Sequence, residues 1–179
     1  EAKVFHLGSL LADDFSPEVV EALAEKGTVS IDAQGYLREV VDEEVKPVEW
    51  KDMKRVLRST GILKLNESEM QTIVGSNDPY EVGKTLAGYG VRDVVITLGS
   101  YGSVIYADGK AYDIPAYEPK KLVDATGCGD TYSTGYLWCR AQGMAIEESG
   151  KFAAAMCSLK LEHSGPFDGT IDDIEQLLG

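Results

Sequence analysis

Short apolar runs alternate with longer amphipathic stretches over the first half of the chain. Val4 to Leu7 predicts a strand. Ser16 followed by Pro17 predicts a helix start, because Ser is a frequent N-cap and Pro is favoured at the first helical position. Further strands are predicted at 28–31, 62–65 and 93–98, and helices at 50–57, 67–74 and 79–89. Strands separated by helices indicate crossover connections and hence a parallel sheet covered on both faces.

The pattern changes after Gly99. Asp108 and Gly109 join residues 103–107 to residues 111–114, which predicts a hairpin with a tight primed turn. Helices are then predicted from the glycine-rich segment 126–130 to about residue 142, at 146–161 and at 171–178. The acidic run 42–44 with Pro47 predicts a solvated loop. We therefore expect a three-layer α/β sandwich with a mostly parallel sheet, as a single domain spanning residues 1–179.

Composition and charge narrow the classes of function. The formal net charge of -13 repels phosphate backbones and anionic lipids, so we expect no nucleic-acid partner and no membrane partner. No stretch reaches the ~18 to 20 apolar residues of a membrane-spanning helix. The cysteines lack zinc spacing and predict reduced thiols in a cytoplasmic protein. The chain starts at Glu1 rather than Met, and its first residues show no basic region and no small-residue cleavage site, which indicates a processed product or a piece of a longer protein without a targeting peptide.

The segment from Val123 to Gly135 carries the strongest chemical signal. Gly127 and Gly129 alternate just before a predicted helix, so backbone N–H groups can turn toward an anion that the helix N-terminus also attracts. Asp130 in the first turn would repel a bound phosphate. This suggests a second task, accepting the proton of a hydroxyl that attacks phosphorus. The alternative is structural, since Asp is favoured at a helix start.

This segment closely resembles the signature of the ribokinase (PfkB) family of carbohydrate kinases. The shared pattern is Asp-x-Thr-Gly-x-Gly-Asp over residues 124–130, followed by the aromatic Tyr132 and then Gly135. Cys128 is the one departure in its core, where Ala is usual. Cys is also small, so the anion hole should survive, and a thiol at a helix N-terminus is a candidate for reactivity.

The resemblance implies a ribokinase-like fold and a role for each signature residue. Asp130 is implied to be the catalytic base. Three N–H groups are implied to form the anion hole: those of Gly127, Cys128 and Gly129. Asp124 and Thr126 are implied to lie near a monovalent cation, K⁺.

Two further segments resemble the family in the same order along the chain. Asn66 to Glu69 follows a predicted strand and resembles its Asn-x-x-Glu element, in which Glu69 is implied to organise Mg²⁺ and phosphate through water. Residues 97–102 resemble its nucleotide loop. The residues thereby implied to bind ATP are Asn66, Glu69, Thr97, Gly99, Ser100 and Gly102. Each segment alone is weak evidence for nucleotide binding, because such residues usually form helix caps and turns. Together they are strong evidence, because both segments follow predicted strands, at the sheet edge where ligands of open parallel sheets bind.

The strand end at Asp32 is a candidate acceptor region. Gln34 and Arg38 follow it, and the Arg38 guanidinium offers a planar fork to phosphate. In the family this strand end borders the acceptor and phosphate region, so Asp32, Gln34 or Arg38 is predicted to contact the substrate. Asp130 is predicted to contact it as the implied base. An exposed loop explains Gln34 and Arg38 equally well.

Family members are usually much longer, and their N-terminal part supplies an acceptor motif, several strands and a small β lid. The resemblance therefore implies an ATP-dependent phosphotransferase for a sugar or polyol hydroxyl, incomplete on its acceptor side. Its cofactors would be Mg²⁺ and K⁺, and the full-length protein is a candidate homodimer. Two alternatives stay open: a vitamin-type kinase for pyridoxal or hydroxymethylpyrimidine, in which Cys often replaces Asp130, and a nucleotide-binding module without turnover. A dehydrogenase ranks lower, because no G-x-G-x-x-G follows the first strand.

Overall fold

The computed structural model describes residues 2–179. Its strands are β1 (Val4–Leu7), β2 (Thr28–Asp32), β3 (Arg38–Val41), β4 (Glu44–Pro47), β5 (Ile62–Asn66), β6 (Asp93–Thr97), β7 (Ser103–Ala107) and β8 (Lys110–Ile114). Its helices are α1 (Pro17–Ala24), α2 (Ala33–Tyr36), α3 (Met53–Arg58), α4 (Glu67–Val74), α5 (Pro79–Gly88), α6 (Cys128–Ala141), α7 (Ile146–Leu161) and α8 (Ile171–Leu178). None of these helices is long and apolar enough to cross a membrane.

A six-stranded sheet has the strand order β1-β2-β5-β6-β7-β8, and β3 pairs with β4 in a separate antiparallel ribbon. β2 pairs in parallel with both β1 and β5, and Asp32 lies opposite Lys64 in the second pair. The α/β class and the mostly parallel sheet are confirmed. The carboxyl ends of β2 and β5 thus lie side by side.

The chain divides into two compact units. The first runs to Ile96 and includes Tyr106–Ala111, and the second consists of Thr97–Ile105 and Tyr112–Gly179. In the first unit, β2 and β5 are almost entirely buried, as expected for strands covered on both faces. In the second unit, α6 packs on α7 through Gly135, where a Cβ would lie 3.1 Å from Ala153 Cα. The prediction of a single domain stays a prediction.

Most predicted elements are confirmed, and α4, α7 and α8 have the predicted bounds. The solvated loop predicted at 42–44 was wrong, because Glu44 belongs to β4 and only Asp42 and Glu43 form the turn of a hairpin. Their φ angles are 53° and 65°, a left-handed conformation that Gly or Asn usually adopts. The turn therefore carries no recognisable sequence signal.

Candidate active site

Helix α6 begins at a left-handed glycine. Gly127 is its N-cap, with a φ of 79°, and no side chain caps the helix. Within residues 2–179, no partner accepts from the N–H groups of Gly127, Gly129 and Asp130, whereas Cys128 N donates to Ala125 O at 3.2 Å. A Cβ at Gly127 would meet nothing within 4 Å. The start of α6 is therefore an open helix N-terminus with unpaired N–H groups, an arrangement that attracts anions.

The set of N–H donors differs in part from the predicted one. The Cys128 N–H group is already used inside the turn, and the Asp130 N–H group, absent from the prediction, is unpaired among the described residues. The general rule that the first N–H groups of a helix lack intrahelical partners could have identified it from the sequence.

The side chain of Asp130 is exposed in the same turn. No hydrogen bond or ion pair involves its carboxylate within the part of the chain that the structure describes. The backbone of the turn is held by two hydroxyl groups, because Thr131 Oγ1 donates to Gly127 O at 2.9 Å and Thr134 Oγ1 donates to Asp130 O at 2.8 Å. An ordered turn thus presents a free carboxylate beside unpaired N–H groups.

A buried hydrogen bond ties this turn to the predicted nucleotide loop. Ser103 Oγ and Tyr132 Oη are 2.6 Å apart, and both residues are buried. Ser103 directly follows Gly102, and Tyr132 lies two residues after Asp130. Burial raises the pKa of the Tyr132 hydroxyl, so it is neutral and able to donate at physiological pH. The loop at residues 97–102 and the signature turn at residues 127–130 are far apart in sequence. This hydrogen bond therefore links them inside the second unit.

The loop itself is tight and depends on two glycines. Leu98 N donates to Gly102 O at 2.8 Å, and a short 3₁₀ turn spans Gly99–Tyr101. Gly102 has a φ of 92°, and a Cβ there would collide with Ile114 O. Gly99 has a φ of 58° but open space around it. Gly102 is thus needed for packing, whereas Gly99 leaves the backbone accessible to a ligand.

The remaining predicted loop residues flank these glycines. Thr97 ends β6 and is half-buried, and Ser100 is exposed. Both belong to the second unit, with the signature turn.

Helix α7 supports the signature segment from its last turns. Leu161 O accepts hydrogen bonds from Val123 N at 2.8 Å and Asp124 N at 3.3 Å. Lys160 Nζ donates to Asp124 O at 2.8 Å and lies 3.5 Å from Asp124 Oδ2. Thr126 N donates to Asp124 Oδ1 at 2.9 Å. The hydrogen bonds from Thr126, and then the Lys160 ammonium, lower the pKa of Asp124.

Two cysteines, Cys128 and Cys157, lie at this turn. Cys157 Sγ donates to Cys128 O at 3.2 Å, which adds a further tether from α7. Burial raises the pKa of the Cys128 thiol and outweighs the opposing field of Lys160. A raised pKa lowers the thiolate fraction, so the candidate reactivity of Cys128 loses its support.

In the first unit, the polar ends of β2 and β5 form a second cluster. Lys64 Nζ and Asp32 Oδ2 form a buried ion pair at 2.6 Å. Asn66 caps α4, and both oxygens of Glu69 accept from Asn66, Oε2 from its N–H group at 2.9 Å and Oε1 from Nδ2 at 2.8 Å. Burial raises the pKa of Glu69, partly offset by the hydrogen bond from the Asn66 backbone. Glu69 is therefore held in one orientation by a capping box.

The two predicted substrate residues lie next to this cluster in sequence. Gln34 is in α2, a helix that Asp32 Oδ1 caps by accepting from Gln34 N at 3.1 Å. Arg38 is the first residue of β3. Both side chains are exposed, and Arg38 lies close enough to Glu69 to lower the pKa of its carboxyl, as a minor contribution.

The first unit also contains a cavity of about 500 Å³. Its lining residues lie in α1, α2, β3 and α3, in the segment that precedes α1 and in the segment that precedes α3. Tyr36 and Trp50 stack there, with ring centroids 4.3 Å apart. None of the predicted site residues lines this cavity.

Within residues 2–179, no group of three or more His, Cys, Asp or Glu side chains could hold a metal ion. Mg²⁺ in kinases usually takes one or two carboxylates, with water and substrate phosphates completing its shell. The fixed carboxylate of Glu69 therefore fits as a single contributor toward Mg²⁺.

The chain resembles known kinases in sequence and in structure. The family described as pfkB family carbohydrate kinase matches residues 1–173. A cytidine kinase from Thermococcus kodakarensis is 30% identical over 151 residues, which cover 83% of this chain and 51% of that protein. One similar solved structure is a pyrophosphate-dependent kinase of the ribokinase family, complexed with a pyrophosphate analog and myo-inositol. Its TM-score is 0.87 at 29% identity, and the alignment covers 98% of this chain and 63% of that one.

A further solved structure, Arabidopsis thaliana ribokinase complexed with ribose and ATP, has a TM-score of 0.77 at 24% identity and supports the fold alone. It covers 99% of this chain and 56% of that one. The chain thus spans roughly half the length of such relatives. The predicted ribokinase-like fold is confirmed.

Proposed function

Because the chain belongs to the pfkB family of carbohydrate kinases, we propose that it forms the donor-binding and base-bearing part of a kinase for a sugar or polyol hydroxyl. The observation that carries the proposal is the first turn of α6, where unpaired N–H groups and the free carboxylate of Asp130 lie together. An anion-attracting helix start that also bears a base suits a reaction in which a hydroxyl attacks a phosphate.

In the proposed reaction, the acceptor oxygen forms a bond to the terminal phosphorus of the donor as the bond from phosphorus to the leaving phosphate breaks. The hydroxyl proton passes to the Asp130 carboxylate. The N–H groups of Gly127, Gly129 and Asp130 stabilise the negative charge of the transferring group. Asp130 therefore acts twice, through its carboxylate toward the acceptor and through its backbone toward the phosphate.

Other residues would hold the substrates. The residues proposed for the donor are Thr97, Gly99, Ser100, Gly102, Asn66 and Glu69, with Gln34 and Arg38 toward the acceptor or the transferring phosphate. The open backbone at Gly99 supports a close approach of the donor. When bound, Mg²⁺ would supply charge neutralisation for the donor phosphates, and Glu69 is the residue proposed to contact it through water.

The donor and the acceptor each have two candidates. ATP is the donor expected from the family, and pyrophosphate is the second candidate because the pyrophosphate-dependent kinase has the higher identity and TM-score of the two solved structures. A polyol such as myo-inositol and the ribose hydroxyl of a nucleoside are the acceptor candidates that the relatives suggest. Asp rather than Cys at position 130 disfavours a vitamin-type acceptor. A cytoplasmic location and a homodimer remain part of the proposal.

The central test is Asp130→Asn in the enzyme that carries this sequence. Phosphoryl transfer is measured with ATP or pyrophosphate as donor and with myo-inositol, ribose or cytidine as acceptor. We expect turnover to fall by ~10² to 10⁴, because the variant keeps the shape of the side chain but loses its basicity. Donor affinity, measured by calorimetry, should stay within a few-fold, since removing a carboxylate also removes repulsion of phosphate.

Asp172→Asn is the matched control. Asp172 is also an exposed Asp in the first turn of a helix, α8, so its loss removes the same kind of helix-dipole interaction without touching the proposed site. Wild-type turnover of Asp130→Asn would refute the role of base. Equal losses of turnover and donor affinity would instead assign the carboxylate to metal organisation.

A further inference from the structure

Lys160 is a buried cation that the proposed reaction does not use. Its side chain is 1% exposed, although it lies in the last turn of α7, where lysines usually reach solvent. A buried ammonium is tolerated only when oxygen atoms compensate its charge. Here the compensating atoms both belong to Asp124: its main-chain oxygen at 2.8 Å and its Oδ2 at 3.5 Å.

Those two oxygens are of the kinds that would bind K⁺. Potassium sites in proteins are built from carbonyl and carboxylate oxygens that replace the hydration shell of the ion. The family resemblance implies such a site near Asp124 and Thr126. In this chain, however, Asp124 Oδ1 accepts from Thr126 N, and the other two oxygens of Asp124 face the Lys160 ammonium. A K⁺ ion at the same oxygens would sit against a like charge, so the residues present do not fit it.

We propose that the Lys160 ammonium is a built-in monovalent cation, which replaces K⁺ at Asp124 and makes the kinase independent of added K⁺. Lys160 is a positioning residue: it holds the main-chain oxygen of Asp124, six residues before Asp130. Leu161 O and Cys157 Sγ tether the same segment at Val123 and Cys128. The ammonium thus completes a set of contacts from α7 that orients the turn carrying Gly127 to Asp130.

The test in the active enzyme rests on the proposed function. Activity is measured in KCl, NH₄Cl and choline chloride at equal ionic strength. Wild type should be equally active in all three salts. Lys160→Ala opens space at the buried site, so it should lose activity by ~10²-fold in choline, as expected for a misplaced reactive turn, and regain it in K⁺ or NH₄⁺. Lys160→Met, which fills that space with apolar atoms, should lose activity without rescue.

Lys151→Ala is the control, because Lys151 lies on the same helix but its side chain is 41% exposed and paired with Glu147. It should behave as wild type in every salt. A wild-type enzyme that needs K⁺ would overturn the proposal. So would a folded Lys160→Ala variant that is fully active in choline, or one that no cation restores, since the latter indicates a merely structural lysine.

A second measurement does not depend on catalysis. Thermal unfolding of the wild-type chain should have the same midpoint in KCl and in choline chloride, whereas Lys160→Ala should gain a saturable stabilisation specific to K⁺ or NH₄⁺. Saturable stabilisation of wild type by K⁺ would overturn the proposal even if Lys160→Ala fails to fold. If transfer activity is absent but these unfolding results hold, the proposed function fails and the cation role stands.

Discussion

The hydrogen bond between Ser103 and Tyr132 should couple the loop at residues 97–102 to the turn at residues 127–130, and its removal has a calculable cost. The oxygens are 2.6 Å apart, and the two residues are 2% and 5% exposed. Tyr132→Phe leaves the Ser103 hydroxyl buried without its partner, and Ser103→Ala does the same to the Tyr132 hydroxyl. Leaving one buried polar group unsatisfied costs ~1–3 kcal/mol. In a protein of this size each kcal/mol lowers the midpoint of thermal unfolding by ~2–4 °C.

The double variant distinguishes a hydrogen bond from simple packing. Ser103→Ala with Tyr132→Phe removes both polar groups, and replacing both partners by apolar groups is nearly neutral, so the double variant should be no less stable than either single one. The free energies of unfolding come from urea titrations of the four proteins, and a coupling of ~0.5–3 kcal/mol is expected.

Tyr101→Phe is the control, because Tyr101 is 85% exposed and its hydroxyl lies in the same loop region without burial. It should change stability by less than ~0.5 kcal/mol. Strictly additive effects of the two core substitutions would show that the hydroxyl groups do not interact, and the link between the loop and the turn would have to be abandoned.

Two further predictions concern the backbone and alkaline pH. Gly102→Ala should destabilise the protein by at least ~2 kcal/mol, because the new Cβ collides with Ile114 O at a position with positive φ. Gly99→Ala, which also has a positive φ but meets no atom, should cost only ~1 kcal/mol. Urea titrations measure both free energies of unfolding, and equal costs would contradict the packing argument. Burial raises the pKa of Tyr36 to about 12, so the folded state holds this proton more tightly and stability should be full below pH ~10 and fall as pH rises toward 12. Tyr36→Phe should flatten that decline relative to Tyr101→Phe, and an unchanged slope would exclude Tyr36 as its source.

The local elements and the signature were readable from the sequence because their signals are local. Each local signal affects only neighbouring residues, as with Pro17 at a helix start, Asp108-Gly109 in a hairpin turn and Asn66 as a helix cap. Helix propensity, turn chemistry and apolar periodicity are properties of such short windows. The order of the elements, and the identification of the glycine-rich turn at residues 127–130 as a helix N-terminus, followed from them.

The tertiary structure decided what depends on contacts between distant residues. Nothing in the sequence distinguishes the buried Lys160 from the half-buried Lys151 on the same helix, because only packing determines which lysine contacts Asp124. The fold likewise brought Ser103 to Tyr132, and it raised the pKa of Cys128 where the helix N-terminus alone suggested a reactive thiol. Burial and pairing are set by the whole chain, so the sequence by itself determined which residues could do chemistry, and the fold determined which of them are held, neutralised or left free.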